Sequence, residues 1–308
     1  LRVLITGAGG FVGKHLAQHL ANIKPGIEIH GTTLEAPSHA GDSHVIFHQL
    51  DLRDTQAVKV VVEQLRPDHV YHLAALSSPA QSFQQPWTTI ENNINAQRNL
   101  LESCLPFSPR TLIVGSADLY DFRDAEKVIT EESPICATSP YAMSKYAQDM
   151  MGFEYNQKLP VIRVRPFNHT GPGQSLGFVA ADFAMQIAEI EAGQREAVIQ
   201  VRNLLARVDF TDVRDVVRAY ALLMDKGTPG EVYNLASGKV YRVEELLNIL
   251  LSHSSVHPRI ETTGNQRDSF KSGSAERLHS ATGWTPTIPF EQTLLDLLND
   301  CRQRVQRT

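Results

Sequence analysis

Apolar positions in the first half of the chain alternate between two patterns. Short aliphatic and β-branched runs at residues 2–6, 27–31, 45–50, 69–75, 111–115 and 161–165 read as buried strands. Between them, apolar residues recur at helical spacing, as with Val12, Leu16, Ala17 and Leu20, and again over residues 55–65. Strand alternating with helix predicts an α/β fold, a doubly wound parallel sheet with helices on both faces. In such sheets the strand ends that carry small or polar residues border the ligand crevice. The second half is less regular. An amphipathic helix is expected from Asp182, and another after Phe210-Thr211-Asp212, with Thr211 or Asp212 as its cap. Residues 231–235 read as a strand and 243–251 as a helix. The irregular stretch at about 121–140 ends in Ser139-Pro140, a helix-start signal.

The first strand opens into Gly7-Ala8-Gly9-Gly10-Phe11-Val12-Gly13, and a helix follows. The spacing is Gly7-x-x-Gly10-x-x-Gly13. Strand, glycine turn and helix start together aim backbone N–H groups at a pyrophosphate. This is a Rossmann-type, dinucleotide-binding arrangement. The expected division is an NAD(P)-binding domain of residues 1–165 plus about 212–236. A smaller C-terminal substrate lobe is expected from about 166–211 and 237–308. At the end of the second strand an acidic side chain would prefer NAD; Thr32 and Thr33 stand there instead, neutral donors for a 2′-phosphate. No arginine follows at once, so NADPH is the preferred cofactor and NADH a possible one.

Tyr141-Ala-Met-Ser-Lys145 joins a proton donor to a cation. Residues i and i+4 share a helix face. A nearby ammonium lowers a phenol from its usual pKa of roughly 10 toward the range of a working general acid.

Composition narrows the classes. The chain of 308 residues carries a net charge of −5, with 42% hydrophobic and 20% charged residues. That is ordinary for a globular enzyme and argues against nucleic acid or membrane surfaces as partners. No apolar run approaches a spanning helix. The chain opens on a strand, not on a leader-like segment, so a cytoplasmic location is expected. Three widely spaced cysteines, Cys104, Cys136 and Cys301, fit reduced thiols, with no disulfide frame and no metal site. His15 and His19 are expected to be surface residues.

The pairing of Gly7-x-x-Gly10-x-x-Gly13 with Tyr141-x-x-x-Lys145 resembles the extended short-chain dehydrogenase/reductases. The resemblance implies a catalytic set of Ser116, Tyr141 and Lys145, since Ser116 precedes Tyr120 by four residues. The segment from Arg165 to Val179 is similar to nucleotide-sugar enzymes, and among these to GDP-4-keto-6-deoxy-D-mannose reductases, which form GDP-D-rhamnose. So are Asp209-Phe210-Thr211-Asp212-Val213-Arg214-Asp215, the stretch 230–238 and Thr282-Gly283-Trp284-Thr285-Pro286. The resemblance places Gly7, Gly10, Phe11, Val12 and Gly13 under the pyrophosphate. It places Asp51 and Leu52 at the adenine, and Leu73, Ala74 and Ala75 on the ribose side. Ser78, Ser116, Asp118 and Asn168 fall on the substrate, a nucleotide-diphosphate sugar, GDP-linked by overall likeness. Asn93 matches a family asparagine that has either a site or a structural role. The resemblance also implies a homodimer built on helices at 141–157 and about 88–104.

Two departures bear on the diphosphate. The related enzymes carry arginine immediately before the Asp-Phe-Thr-Asp motif, whereas here Val208 intervenes and Arg207 stands one residue earlier. On a strand that reverses its face unless a bulge restores it. The family's Arg-Pro segment is replaced by residues 265–270, where Arg267 is the candidate substitute. Asp121 stands where glycine is usual. The implied activity is reduction of a 4-keto-6-deoxyhexose. A 4,6-dehydratase, which needs an acid at the Asp118 position, a 4-epimerase, and a non-catalytic dinucleotide-binding regulator are the alternatives.

Overall fold

The computed structural model describes residues 1–35, 44–123 and 127–307. The first elements are β1 (Arg2–Thr6), α1 (Phe11–Ile23), β2 (Glu28–Thr33), β3 (Val45–Gln49), α2 (Thr55–Leu65) and β4 (His69–His72). Then come α3 (Pro79–Gln84), α4 (Pro86–Cys104), β5 (Arg110–Val114), β6 (Val128–Ile129), α5 (Pro140–Tyr155) and β7 (Val161–Pro166). The rest are β8 (Asn168–Thr170), α6 (Val179–Glu191), β9 (Val198–Val201), β10 (Arg207–Asp212), α7 (Val213–Lys226) and β11 (Val232–Leu235). The chain ends with β12 (Val240–Arg242), α8 (Val243–Ser252), β13 (Arg259–Thr262), β14 (Phe270–Gly273), α9 (Glu276–Thr282) and α10 (Phe290–Gln306).

Seven parallel strands form the main sheet in the order β11-β7-β5-β4-β1-β2-β3. Val3, Leu4 and Ile5 are all buried, as expected of a strand covered on both faces. On one face α1 and α7 pack through Leu16, Ala17, Leu20, Val216, Val217 and Tyr220. The other face carries α2 and α4, with Val58, Val62, Leu100 and Leu101 in the core. The chain builds outward from β1 to β3, then crosses back to β4 on the opposite flank. The ends of β1 and β4 therefore meet at the point where strand order reverses, where a crevice opens.

A second sheet has the order β12-β10-β14-β6, with β8 beside β10. Its β10, together with β9, packs against α6, α8 and α10 through Phe183, Ile187, Phe210, Leu246, Leu294 and Leu298. Asp212 caps α7, accepting from Arg214 N at 2.7 Å. Pro140 begins α5 behind the Ser139 cap. Strands β6, β8, β9, β12, β13 and β14 and helices α3, α9 and α10 add to the elements read from periodicity. Most are short or lie in the half where the pattern is weak.

His15 and His19 are a correction: both are half-buried, not on the surface. His15 Nε2 lies 2.8 Å from the Pro172 carbonyl, tying α1 to the loop after β8. Burial, with the Arg218 charge, pushes His19 down. Asp121 sits after Tyr120 without left-handed backbone; among the described residues only Arg66 and Ser108 are non-glycines with positive φ. Among the described residues no helix is long and apolar enough to cross a membrane. None of their histidine, cysteine and carboxylate side chains forms a group of three or more that could hold a metal ion.

Candidate active site

The glycine turn leads from β1 into α1. Gly7 has φ +72°, a left-handed backbone, and a Cβ there would press on the Ala74 backbone at 3.0 Å. A Cβ on Gly13 would lie 2.3 Å from the Gly7 carbonyl oxygen, so only glycine lets the helix approach the turn this closely. Gly10 is the N-cap of α1 and no side chain caps that end. The N-terminal amides of Phe11, Val12 and Gly13 thus present partial positive charge to the crevice, which suits a dinucleotide pyrophosphate. Phe11 stacks on His169 at 6.2 Å, and Leu73 and Ala74 follow β4 beside the turn, Ala74 N donating to Thr6 Oγ1 at 3.2 Å.

The two threonines of β2 differ. Thr32 is buried, and its hydroxyl accepts from Gly7 N at 3.4 Å under the turn. Thr33 is half-buried beside Gly9, its hydroxyl donating to the Glu35 carbonyl at 2.6 Å. Of the pair, Thr33 has the more open position. Asp51 forms a two-point ion pair with Arg53, Nε to Oδ1 at 2.9 Å and Nη2 to Oδ2 at 2.6 Å. Its carboxyl is held below the usual range by hydrogen bonds from Arg53. Leu52 is buried, and its carbonyl accepts from Asn99 Nδ2.

Tyr141, Lys145 and Asp149 occupy i, i+4 and i+8 of α5, one face of the helix. Tyr141 and Lys145 are buried. Ser116, which follows β5, lies beside the Tyr141 hydroxyl. Burial and the Asp118 charge push Tyr141 up, and Ser116 only partly opposes them. This corrects the sequence expectation that Lys145 draws the phenol down. The ammonium instead donates to the Val114 carbonyl at 2.9 Å, and burial pushes it down to about 8. The arrangement holds Tyr141 as a protonated donor.

The groups behind Lys145 were not anticipated. His72 lies 2.8 Å from Thr6 Oγ1 and is pushed down to about 3 by burial and then by Lys145, so it stays neutral. Asp149 accepts from Arg163 Nη1 at 3.1 Å, Arg165 Nη2 at 2.6 Å and Arg165 Nε at 3.2 Å, all buried. Arg165 Nη1 donates to the Tyr120 hydroxyl, which donates to Asn234, each at 2.8 Å. Two arginines inside an apolar strand were the available signal, since buried charges are paired.

Asn93 ties elements together: Leu76 N donates to its Oδ1 at 2.8 Å, and its Nδ2 donates to Ser144 Oγ at 2.9 Å. Ser78 caps α3, accepting from Gln81 N at 3.3 Å. Ala75 lies half-buried between β4 and Leu76. Asp118 N donates to Ser116 Oγ at 3.1 Å, and its carboxylate meets Lys271. Asn168 begins β8, exposed, opposite Phe210.

The bulge expected to turn Arg207 toward the diphosphate is not present. The register of β10 runs without interruption against β12, β14 and β8. Arg207 pairs with Asp268, Nε to Oδ1 at 2.9 Å, and lies 5.0 Å over the Phe270 ring. Arg267 is exposed, and its backbone is held by Asn203.

The sequence matches the GDP-mannose 4,6 dehydratase family over residues 4–297. It is 33% identical to the GDP-6-deoxy-D-mannose reductase of Pseudomonas aeruginosa, over 99% of this chain and 98% of that one. The solved structure of RMD from Pseudomonas aeruginosa complexed with NADPH superposes with a TM-score of 0.86 at 32% identity, covering 98% of this chain and 99% of that one. The UDP-glucose 4-epimerase of Thermus thermophilus in complex with NAD gives 0.85 at 26%, covering 98% and 99%.

Proposed function

The chain belongs to the GDP-mannose 4,6 dehydratase family of extended short-chain dehydrogenase/reductases, and from that premise we propose that it is an enzyme reducing the 4-keto group of a nucleotide-linked 4-keto-6-deoxyhexose. The substrate is a nucleotide sugar, and the reading extends to GDP-4-keto-6-deoxy-D-mannose as substrate and GDP-D-rhamnose as product. The cofactor is a nicotinamide dinucleotide, NADPH in preference to NADH. The observation that carries the reading is the buried grouping of Tyr141 beside Ser116 with Lys145 one turn along α5.

Gly7, Gly10, Phe11, Val12 and Gly13 hold the pyrophosphate through backbone N–H groups. Leu52, Leu73, Ala74 and Ala75 line the nucleoside side, and Asp51 positions Arg53 there. When bound, the reduced dinucleotide supplies the hydride. Tyr141 gives its phenolic proton to the ketone oxygen, and Ser116 hydrogen-bonds the same oxygen, so the carbonyl becomes a secondary alcohol. Lys145 holds positive charge behind Tyr141 as that proton leaves. Neutral His72 leaves this charge undivided. The molecule works as a homodimer through α4 and α5.

Tyr141→Phe removes the proton donor and keeps the ring. Turnover of GDP-4-keto-6-deoxy-D-mannose with NADPH is expected to fall on the order of 10²–10⁴-fold, with cofactor affinity retained. Near-full turnover in this variant, with the product assigned by NMR, would reject the assignment.

A further inference from the structure

Lys271 lies on β14, 153 residues from the carboxylate it meets. Its ammonium is 2.7 Å from Asp118 Oδ1 and 5.2 Å from the centroid of the Phe122 ring. Asp118 in turn donates its backbone N–H to Ser116 Oγ at 3.1 Å, and Ser116 neighbours the Tyr141 hydroxyl. Tyr141, Ser116, Asp118 and Lys271 therefore form one connected row. Its first two members mark where the ketone oxygen rests. Its last two are a charged pair close enough for Asp118 to act on Tyr141.

The two ends of the row differ in access. Ser116 and Tyr141 are buried, whereas the Lys271 and Asp118 side chains are 35% and 29% exposed. A part-exposed ion pair contributes little to stability, so it opens readily. An ammonium only donates hydrogen bonds and a carboxylate only accepts them, whereas a hydroxyl does both. The pair is thus complementary to a hydroxyl inserted between its members.

We propose that Lys271 is a specificity-determining residue that reads, together with Asp118, the sugar hydroxyl next to the ketone. Lys271 donates to that hydroxyl and Asp118 accepts from it. The inference rests on the ketone-reducing function proposed above.

The test compares GDP-4-keto-6-deoxy-D-mannose with its 3-deoxy analogue, using wild-type protein, Lys271→Met, Lys271→Arg and Asp118→Asn. Wild type is expected to favour the 3-hydroxy substrate in kcat/KM by about 10–100-fold, the scale of one charge-assisted hydrogen bond. Lys271→Met is expected to lose most of that preference through a raised KM for the 3-hydroxy substrate. Its constants for the 3-deoxy substrate and its affinity for NADPH are expected to stay within about twofold. Lys271→Arg is expected to restore part of the preference, and Asp118→Asn to reduce it. If Lys271→Met discriminates as well as wild type, or loses equally on both substrates, the proposal is overturned while ketone reduction stands. A wild-type enzyme that reduces neither ketone overturns the reading of the reaction and this proposal with it.

Discussion

Asp149 offers a direct test of what holds α5, the helix of Tyr141 and Lys145, in register. It lies on α5 eight residues beyond Tyr141, and its side chain is buried between Arg163 and Arg165 of β7. Asp149→Asn keeps the shape but removes the one carboxylate that both guanidiniums share. Breaking a buried ion pair costs about 3–5 kcal/mol, because the remaining charge is left uncompensated. Part of that is offset here. Arg163 Nη2 still donates to the Gly230 carbonyl at 2.9 Å, and Arg165 still donates to Tyr120. Both guanidiniums also keep an aromatic face at 5.1 Å, Phe153 for Arg163 and Tyr120 for Arg165. The lower end, about 3 kcal/mol, is therefore expected, a fall in Tm of about 6 °C for a chain of this size. Adding Arg163→Met should recover part of the loss, because it removes one of the two stranded charges. Turnover at 20 °C, well below either transition, should fall about tenfold, as a slight shift of α5 moves Tyr141 relative to Ser116. Thermal melting by circular dichroism with steady-state rates at that temperature measures both. A Tm within 2 °C of wild type would show that the network does not anchor the helix.

Three further outcomes follow from the site. The kcat/KM profile should lose activity with an apparent pKa of about 8, since the Lys145 ammonium is present below that pH and lost above it, while His72 is already neutral. A profile flat from pH 7 to roughly 9.5 would separate Lys145 from the rate. Thr33→Asp should weaken NADPH relative to NADH by at least about tenfold through like-charge repulsion, and an unmoved ratio would place the discriminating contact elsewhere. Light scattering should report a homodimer at micromolar concentration, and Phe153→Glu with Met150→Glu should yield monomer; an unchanged mass would exclude this face as the interface.

The proposed dimer face shows how far periodicity reaches. Ile90, Ile94, Leu100, Leu101, Met150, Met151, Phe153 and Tyr155 are all apolar at helical spacing, and sequence offers no way to divide them. In the fold Leu100 and Leu101 are in the core and Met151 and Tyr155 pack against it, whereas Met150 and Phe153 are exposed. Trp87 at the start of α4 and Phe83 on α3 are also exposed, at 71% and 64%, although no pattern singled them out. The strand–glycine–helix start and the Tyr141–Lys145 face were legible because both are local: a turn of seven residues and one helical step. Lys271 was not, because the carboxylate it meets is 153 residues away, in the short turn after β5. The direction of the Tyr141 shift was missed for a related reason. Spacing shows that Lys145 is near, but only the fold shows that the ammonium is engaged by Val114 and that burial pushes the phenol up.

The Asp209-to-Asp215 stretch, one of the segments that carry the family resemblance, extends the same lesson. Asp209 is buried, accepting from Ser237 N at 2.8 Å, Ser237 Oγ at 2.7 Å and Gly238 N at 2.9 Å, which fixes the turn after β11. Asp212 caps α7 and pairs with Arg214. Asp215 accepts from Thr287 N at 2.8 Å and Ile288 N at 2.9 Å, which fastens the segment before α10. Each carboxylate replaces lost hydration with backbone donors: Asp209 and Asp215 join loops to β10 and α7, and Asp212 starts α7. The stretch is thus a clamp between the two sheets. Arg207 belongs to the same clamp: its partner Asp268 precedes β14, and β14 carries Lys271 toward Asp118. An arginine held by a carboxylate and an aromatic ring serves a diphosphate only by giving up both. Its displacement by one residue is better understood as fixing β14, and through it the sugar end of the site, than as a phosphate contact moved along the chain.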